Sequence, residues 1–132
     1  MPNIVIFSFF AGVGILDLAF EKNNYEIVFV NEYKECFIKA YKVSRENLSK
    51  REPRLGYSNE NAIIYTKGKN KKKLLSMIKK EKEKGNVVGF IGGPPCPDFS
   101  VGGKNKGVAG ENGRLTKTYF DLIVRCKPDF FL

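Results

Sequence analysis

Short apolar runs rich in β-branched and aromatic residues alternate with amphipathic segments along this chain. That alternation limits the fold more than any other feature of the sequence. "NIVIFSFF", Asn3 to Phe10, reads as a buried strand running into a turn at Gly12 and Gly14. "ILDLAFEKN" follows as a helix whose apolar residues are Ile15, Leu16, Leu18, Ala19 and Phe20; Asn23 and Asn24 end it. "YEIVFVNE", Tyr25 to Glu32, is a second strand. "KECFIKAYKVSREN" is an amphipathic helix expected to turn Cys36, Phe37, Ala40, Tyr41 and Val43 inward. "LSKREPRLGYSNE", Leu48 to Glu60, is broken by Pro53 and Gly56 and reads as loop. "NAIIYT" is the expected third strand. "KGKNKKKLLSMIKKEKEKG" is a lysine-rich helix with Leu74, Leu75 and Ile78 as its apolar stripe. "NVVGFIGG" is a fourth strand, followed by a glycine- and lysine-rich loop to about Gly113. A helix from about Thr116 to Cys126 turns Tyr119, Phe120, Leu122 and Ile123 inward, and "PDFFL" starts a fifth strand.

Such a pattern predicts an α/β fold: a parallel sheet with helices on both faces. Ligands of these sheets bind at the carboxyl ends of the strands. Three chemically distinctive stretches fall at such ends. They are the Gly12-x-Gly14 turn, Asn31-Glu32-Tyr33, and Gly93-Pro94-Pro95-Cys96.

With 132 residues, 42% of them hydrophobic, the chain is at most one ordinary domain with a real core. Its net charge of +9 suits a polyanionic partner such as nucleic acid, although a solubilising lysine face has the same composition. The lysine run from Lys67 to Lys84 is expected to be such a solvated face, remote from the strand ends. The three cysteines, Cys36, Cys96 and Cys126, are far apart and form no C-x-x-C pair. A metal site and a disulfide framework are therefore not expected, and a reducing, cytoplasmic setting is. The absence of histidine removes Cys–His and Ser–His catalysis within this segment. There is no apolar run long enough to span a bilayer, so no membrane partner is expected.

The turn Phe10-Ala11-Gly12-Val13-Gly14 would let a ligand approach the backbone at the start of a helix, though a plain strand-to-helix turn needs the same glycines. Glu32 lies 18 residues beyond Gly14, close to where doubly wound folds grip ribose hydroxyls. Tyr33 beside it has a ring able to stack on a base. Together these point to a nucleoside-containing cofactor. Cys36 and Cys126 sit within helix patterns and read as buried structural thiols. Cys96 differs: it stands just past a strand, between Pro95 and Pro97, which fix the backbone on both sides. A nucleophile gains from such fixing, and the glycine-rich sequence beyond could move as a lid.

These residues, in this order, resemble the C5-cytosine DNA methyltransferases over nearly the whole chain. "FSFFAGVGILDLAFE" resembles the family's first motif, the turn that holds S-adenosylmethionine. "VNEYKE" resembles the second, an acid for the ribose followed by an aromatic for adenine. "GGPPCPDFSVGGKNKG" resembles the fourth, whose Pro-Cys carries the catalytic thiol; the Phe99-Ser100 pair and the Gly-Lys-x-Lys-Gly run make this match specific. "NGRLTKTYFDLIVRCKPDFFL" resembles the helix and strand that come next. The sequence departs from the family at Ser8, usually aspartate, at Ile15, usually glycine, and at Pro97, often glutamine. The third motif is indistinct, with "SNENAI" as the candidate region.

The resemblance implies a Rossmann-like S-adenosylmethionine-dependent methyltransferase fold, cut off after about the fifth strand. It implies Cys96 as the nucleophile and Phe10, Ala11, Gly12, Val13, Gly14, Glu32, Tyr33, Gly93 and Pro95 as cofactor contacts. Ser100, Lys104 and Lys106 are the implied contacts to duplex DNA. Residues 1–132 would be the N-terminal part of the catalytic domain. The Glu-Asn-Val motif, the target-recognition domain and the closing helix lie outside the sequence, so the expected partner is the remaining C-terminal part or a complementary subunit. The implied setting is the cytoplasm of a bacterium, within a restriction–modification system. Three alternatives stand beside this one: a tRNA cytosine-5 methyltransferase of the same family, a non-catalytic remnant or split subunit, and a general nucleotide-binding domain with a redox cysteine.

Overall fold

The computed structural model describes residues 1–95 and 110–132, apart from the side chains of residues 111 and 112. Its centre is β1, Ile4–Phe9, which is paired on both sides and buried from Val5 onward. Four further strands complete a parallel sheet: β2, Glu26–Asn31; β3, Tyr57–Ser58; β4, Val87–Gly92; and β5, Phe130–Phe131. The order is β3-β2-β1-β4-β5, so the winding reverses between β1 and β4. Helices α1, Ile15–Glu21, and α2, Glu35–Asn47, cover one face; α3, Gly68–Glu83, and α4, Glu111–Cys126, cover the other.

Alternation along β1 decides which face each side chain serves. Val5, Phe7 and Phe9 join Phe90, Leu74, Ile78 and Leu122 in the core beneath α3 and α4. Ile6 joins Ile27, Ile38, Tyr41 and Ile91 beneath α1 and α2. A register shift between Ile6 and Phe7 lets Ile6 pair with Ile27 but Phe7 with Phe29. Val28 and Phe29 consequently both serve the α3/α4 core, while Ile27 and Val30 serve the other.

Several expectations from the sequence are corrected by the fold. "NAIIYT" is not a strand: Ala62–Thr66 form a 3-10 helix, started by the Asn61 side chain accepting from the Ile63 N–H at 3.1 Å. The third strand instead lies in the stretch read as loop. On α2 the buried residues are Ile38, Tyr41 and Arg45, whereas Cys36, Phe37, Ala40 and Val43 are exposed. Cys36 is thus not a buried structural thiol. Cys126 is one, and burial pushes its thiol up to about 11. On α1, Ile15 and Leu16 are exposed and Asp17 is buried. On α4, which begins at Glu111 rather than near Thr116, Phe120 points outward.

The lower edge of the sheet, where the strands begin, is held by ion pairs. Arg54 grips the buried Glu81 carboxylate with two N–H groups at 2.7 and 2.6 Å, and Asn86 and Lys84 complete its shell. Lys82 bonds Asp129, whose other oxygen accepts from the Val88 N–H. Lys79 pairs with Glu83, so the last turns of α3 pair Lys79 and Lys82, while the exposed Lys69, Lys72 and Lys73 of its first turns form a solvated face.

The Arg54 guanidinium holds the Glu81 carboxyl at about 2, below its ordinary 4.5. A depressed carboxylate stabilises the fold above its unfolded value and loses that contribution as pH falls toward its folded one. Stability should therefore drop by at most about 3 kcal/mol from this group between about pH 5 and pH 2. Urea midpoints measured across that range should show the loss, and Glu81→Gln should flatten it while lowering stability at neutral pH.

Candidate functional site

The chain leaves β1 through a turn that no ordinary residue favours. Phe10, Gly12 and Gly14 all have positive φ, of 51°, 59° and 91°. Gly14 is also sterically bound: a Cβ there would lie 2.6 Å from Cε2 of Tyr41. The Gly14 N–H closes the turn on the Ala11 carbonyl at 3.1 Å, and the Gly14 carbonyl accepts the first bond of α1.

Glu32, just past β2 and 7% exposed, ties this turn to the neighbouring strand end. Its Oε2 accepts from the Gly12 N–H at 2.8 Å, and its Oε1 accepts from the Lys34 N–H at 2.8 Å. One carboxylate thus fixes both the glycine turn and the entry to α2, with lone pairs left on each oxygen. The segment before the 3-10 helix supports it from the other side. Asn31 Nδ2 donates to the Ser58 and Glu60 carbonyls, and Asn59 Nδ2 donates to the carbonyls of Glu32 and Tyr33.

Between these strand ends lies a cleft of about 220 Å³. Of the residues picked from the sequence, Phe10, Gly12, Glu32, Tyr33, Gly93 and Pro95 line it. Ala11, Val13 and Gly14 do not; Ala11 packs against the α1/α2 core and Gly14 on Tyr41, so these three shape the turn. Cys96, Ser100, Lys104 and Lys106 lie outside the described residues. Pro95, on the cleft wall, directly precedes Cys96 in the chain.

The cleft also draws in Asn31, Lys34, Phe37, Asn61, Ala62 and Leu115. Asn31 and Lys34 flank the Glu32-Tyr33 pair and could have been found by extending it. Asn61 and Ala62 belong to the "SNENAI" region. Phe37 had been assigned to the core, yet it stands at the cleft with Lys34 Nζ 5.2 Å from its ring centroid. Leu115 carried no signal in the sequence. Tyr119 supports the wall behind: its ring meets Phe10 edge-on, its hydroxyl donates to the Leu132 carbonyl, and a Cβ on Gly92 would lie 2.7 Å from it. Among the described residues no group of His, Cys, Asp or Glu is arranged to hold a metal ion. None of the described helices is long and apolar enough to cross a membrane.

Comparison with known proteins identifies the family. The model of the C-5 cytosine-specific DNA methylase family matches residues 4–132. The type II methyltransferase M.NmeDI of Neisseria meningitidis serogroup C is 50% identical over 128 residues, covering 97% of this chain and 30% of that protein. M.MthTI of Methanothermobacter thermautotrophicus is 36% identical, covering 98% of this chain and 33% of its own length. The chain thus spans about a third of these relatives. A solved E. coli structure, described as a DNA modification methyltransferase encoded within a prophage, shares the fold with a TM-score of 0.64 at 21% identity, over 98% of this chain and 31% of its own. With the match running from Ile4 to Leu132, the chain belongs to the C-5 cytosine-specific DNA methylase family.

Proposed function

We propose that this chain is the cofactor-binding and nucleophile-bearing N-terminal part of a DNA (cytosine-5)-methyltransferase acting on duplex DNA within a restriction–modification system. The observation that carries the reading is the junction at Pro95. The cleft built by Glu32 and the glycine turn ends there, and the next residue is Cys96.

The cleft suits S-adenosylmethionine. Glu32 keeps acceptor capacity for two ribose hydroxyls after binding the turn, and Tyr33 and Phe37 offer aromatic surface for adenine. Gly12 and Gly93 line the cleft without a side chain, which allows close approach. When bound, the cofactor supplies an electrophilic methyl group on a sulfonium. Cys96 supplies the nucleophile that activates the base. Its thiolate adds to cytosine C6, which gives C5 the electron density of an enamine. Once C5 is methylated, loss of its proton and β-elimination expel the thiolate. A thiol near the ordinary ~8.5 is mostly protonated at neutral pH, so its site must favour the thiolate. A cytosine within a duplex is out of reach, which requires the base to be flipped. Ser100, Lys104 and Lys106 are the proposed backbone contacts that hold the DNA meanwhile. The acid that protonates cytosine N3 and the target-reading domain would come from the remaining part of the enzyme or a complementary subunit.

In the complete enzyme, Cys96→Ser should abolish transfer of labelled methyl groups to duplex DNA; retained turnover, or transfer to tRNA in preference to DNA, would contradict the reading. The 132-residue chain alone should be inactive in the same assay. Glu32→Gln should weaken binding of S-adenosylhomocysteine, the methyl-free product, at least about tenfold by calorimetry, because charge-assisted bonds are lost on both sides of the carboxylate.

A further inference from the structure

Below the glycine turn lies a buried polar cluster that the cleft does not touch. Ser8 on β1 donates its hydroxyl to Asp17 Oδ1 at 2.7 Å, and Tyr41 on α2 donates to Asp17 Oδ2 at 2.5 Å. All three residues are about 1% exposed. Arg45 Nη1 donates to the Tyr41 hydroxyl at 3.2 Å, and its Nη2 pairs with Glu21 at 2.5 Å. The charged and titratable groups facing Asp17 are therefore Tyr41 and Arg45 from α2 and Glu21 from α1, with Ser8 contributed by β1.

A core site would be more stable with an apolar residue than with a buried carboxylate, so the position needs another account. Its geometry provides one. Ser8 precedes the turn and Asp17 follows it, so their bond closes the loop that contains Phe10, Gly12 and Gly14. Tyr41 holds the same carboxylate and presses its ring beneath Gly14. Phe10, a non-glycine residue at φ 51°, stores strain that persists only where the surroundings over-determine it, and Gly12 and Gly14 supply the positive φ that the rest of the turn needs. Glu32 fixes the turn from the cleft side through the Gly12 N–H, and Asp17 fixes it from below.

We propose that Asp17, acting through Ser8 and Tyr41, is a positioning residue for S-adenosylmethionine binding: it clasps the base of the glycine turn and presets the Gly12 backbone that faces the cofactor. The proposal rests on the cofactor reading of the cleft.

The clasp has a testable signature in pH. Ionised Asp17 accepts from both hydroxyls; protonated, it must donate through one oxygen, and one of the two bonds reverses or breaks. Burial pushes this carboxyl up to about 6, above its ordinary 3.8, with the Tyr41 and Ser8 bonds opposing. Since the folded state holds the proton more tightly than the unfolded one, the contribution of Asp17 to stability rises as pH falls through that range. Cofactor affinity should move the other way. A purely structural carboxylate would change stability alone.

The experiment is S-adenosylhomocysteine binding to the full chain by calorimetry, with melting temperature recorded alongside, from about pH 7.5 to about pH 5. Wild-type affinity should fall several-fold on acidification. Asp17→Asn should weaken binding about 5- to 30-fold at neutral pH, flatten the pH profile, and leave the melting temperature unchanged or raised. Tyr41→Phe keeps the ring under Gly14 and loses the hydroxyl that donates to Asp17 and accepts from Arg45, so it should weaken binding to a lesser degree; should Asp17→Asn fail to fold, this variant and the wild-type titration decide. Wild-type affinity and pH profile in both variants would overturn the clasp while leaving the cofactor reading intact. A wild-type chain that does not bind S-adenosylhomocysteine would overturn both.

Discussion

The way the chain leaves β1 governs the rest of the carboxyl rim. β1 is paired on both sides and buried on both faces, so its end cannot shift without disturbing the whole sheet. The reversal of winding between β1 and β4 opens a gap at that end. On the β2 side of that gap, the Glu32 carboxylate and the bond from the Ala11 N–H to the Asn31 carbonyl tie the turn after β1 to the end of β2. The Gly12–Glu32 bond carries that tie past the strand end to the Tyr33 segment. The turn and this segment are thus one wall, and Gly93–Pro95 supply the other.

The two edges of the sheet use polar chemistry for different ends. At the lower edge Glu81 and Asp129 are satisfied by cations and backbone N–H groups, and their arrangement is complete in itself. At the upper edge Glu32 keeps unused acceptor capacity beside an aromatic-lined cleft. Asp17 stands between, fully bonded yet poorly solvated. Among the described residues no buried side-chain nitrogen or oxygen lacks a partner, so these groups constrain geometry rather than merely tolerate burial.

Much of this was legible in the sequence, and the misreadings have specific causes. The long strands β1, β2 and β4 carry continuous apolar runs, which few other structures accommodate. "NAIIYT" has the same composition, but Asn61 caps it into a 3-10 helix that buries Ala62 and Tyr65 three residues apart and exposes Ile63. The true β3 is a two-residue edge strand, too short for any alternation to show. On α2 the inward face is Ile38, Tyr41 and Arg45 because Arg45 reaches Glu21 and the Arg51 carbonyl while its stem packs inward. Hydrophobicity alone favoured Cys36, Phe37, Ala40 and Val43. Phe37 is left at the cleft for the same reason.

The sequence by itself determined the long strands and the helices between them, the glycines that permit a left-handed turn after β1, and the placing of Glu32 and of the Pro94-Pro95 pair just past strand ends. These are local properties, set by periodicity and by the φ each residue tolerates. Only the tertiary structure decided that β1 lies between β2 and β4, that Glu32 meets Gly12 across 20 residues, and that Asp17 lies dry between Ser8 and Tyr41. Those contacts join distant parts of the chain, and their worth depends on burial that no single segment can supply.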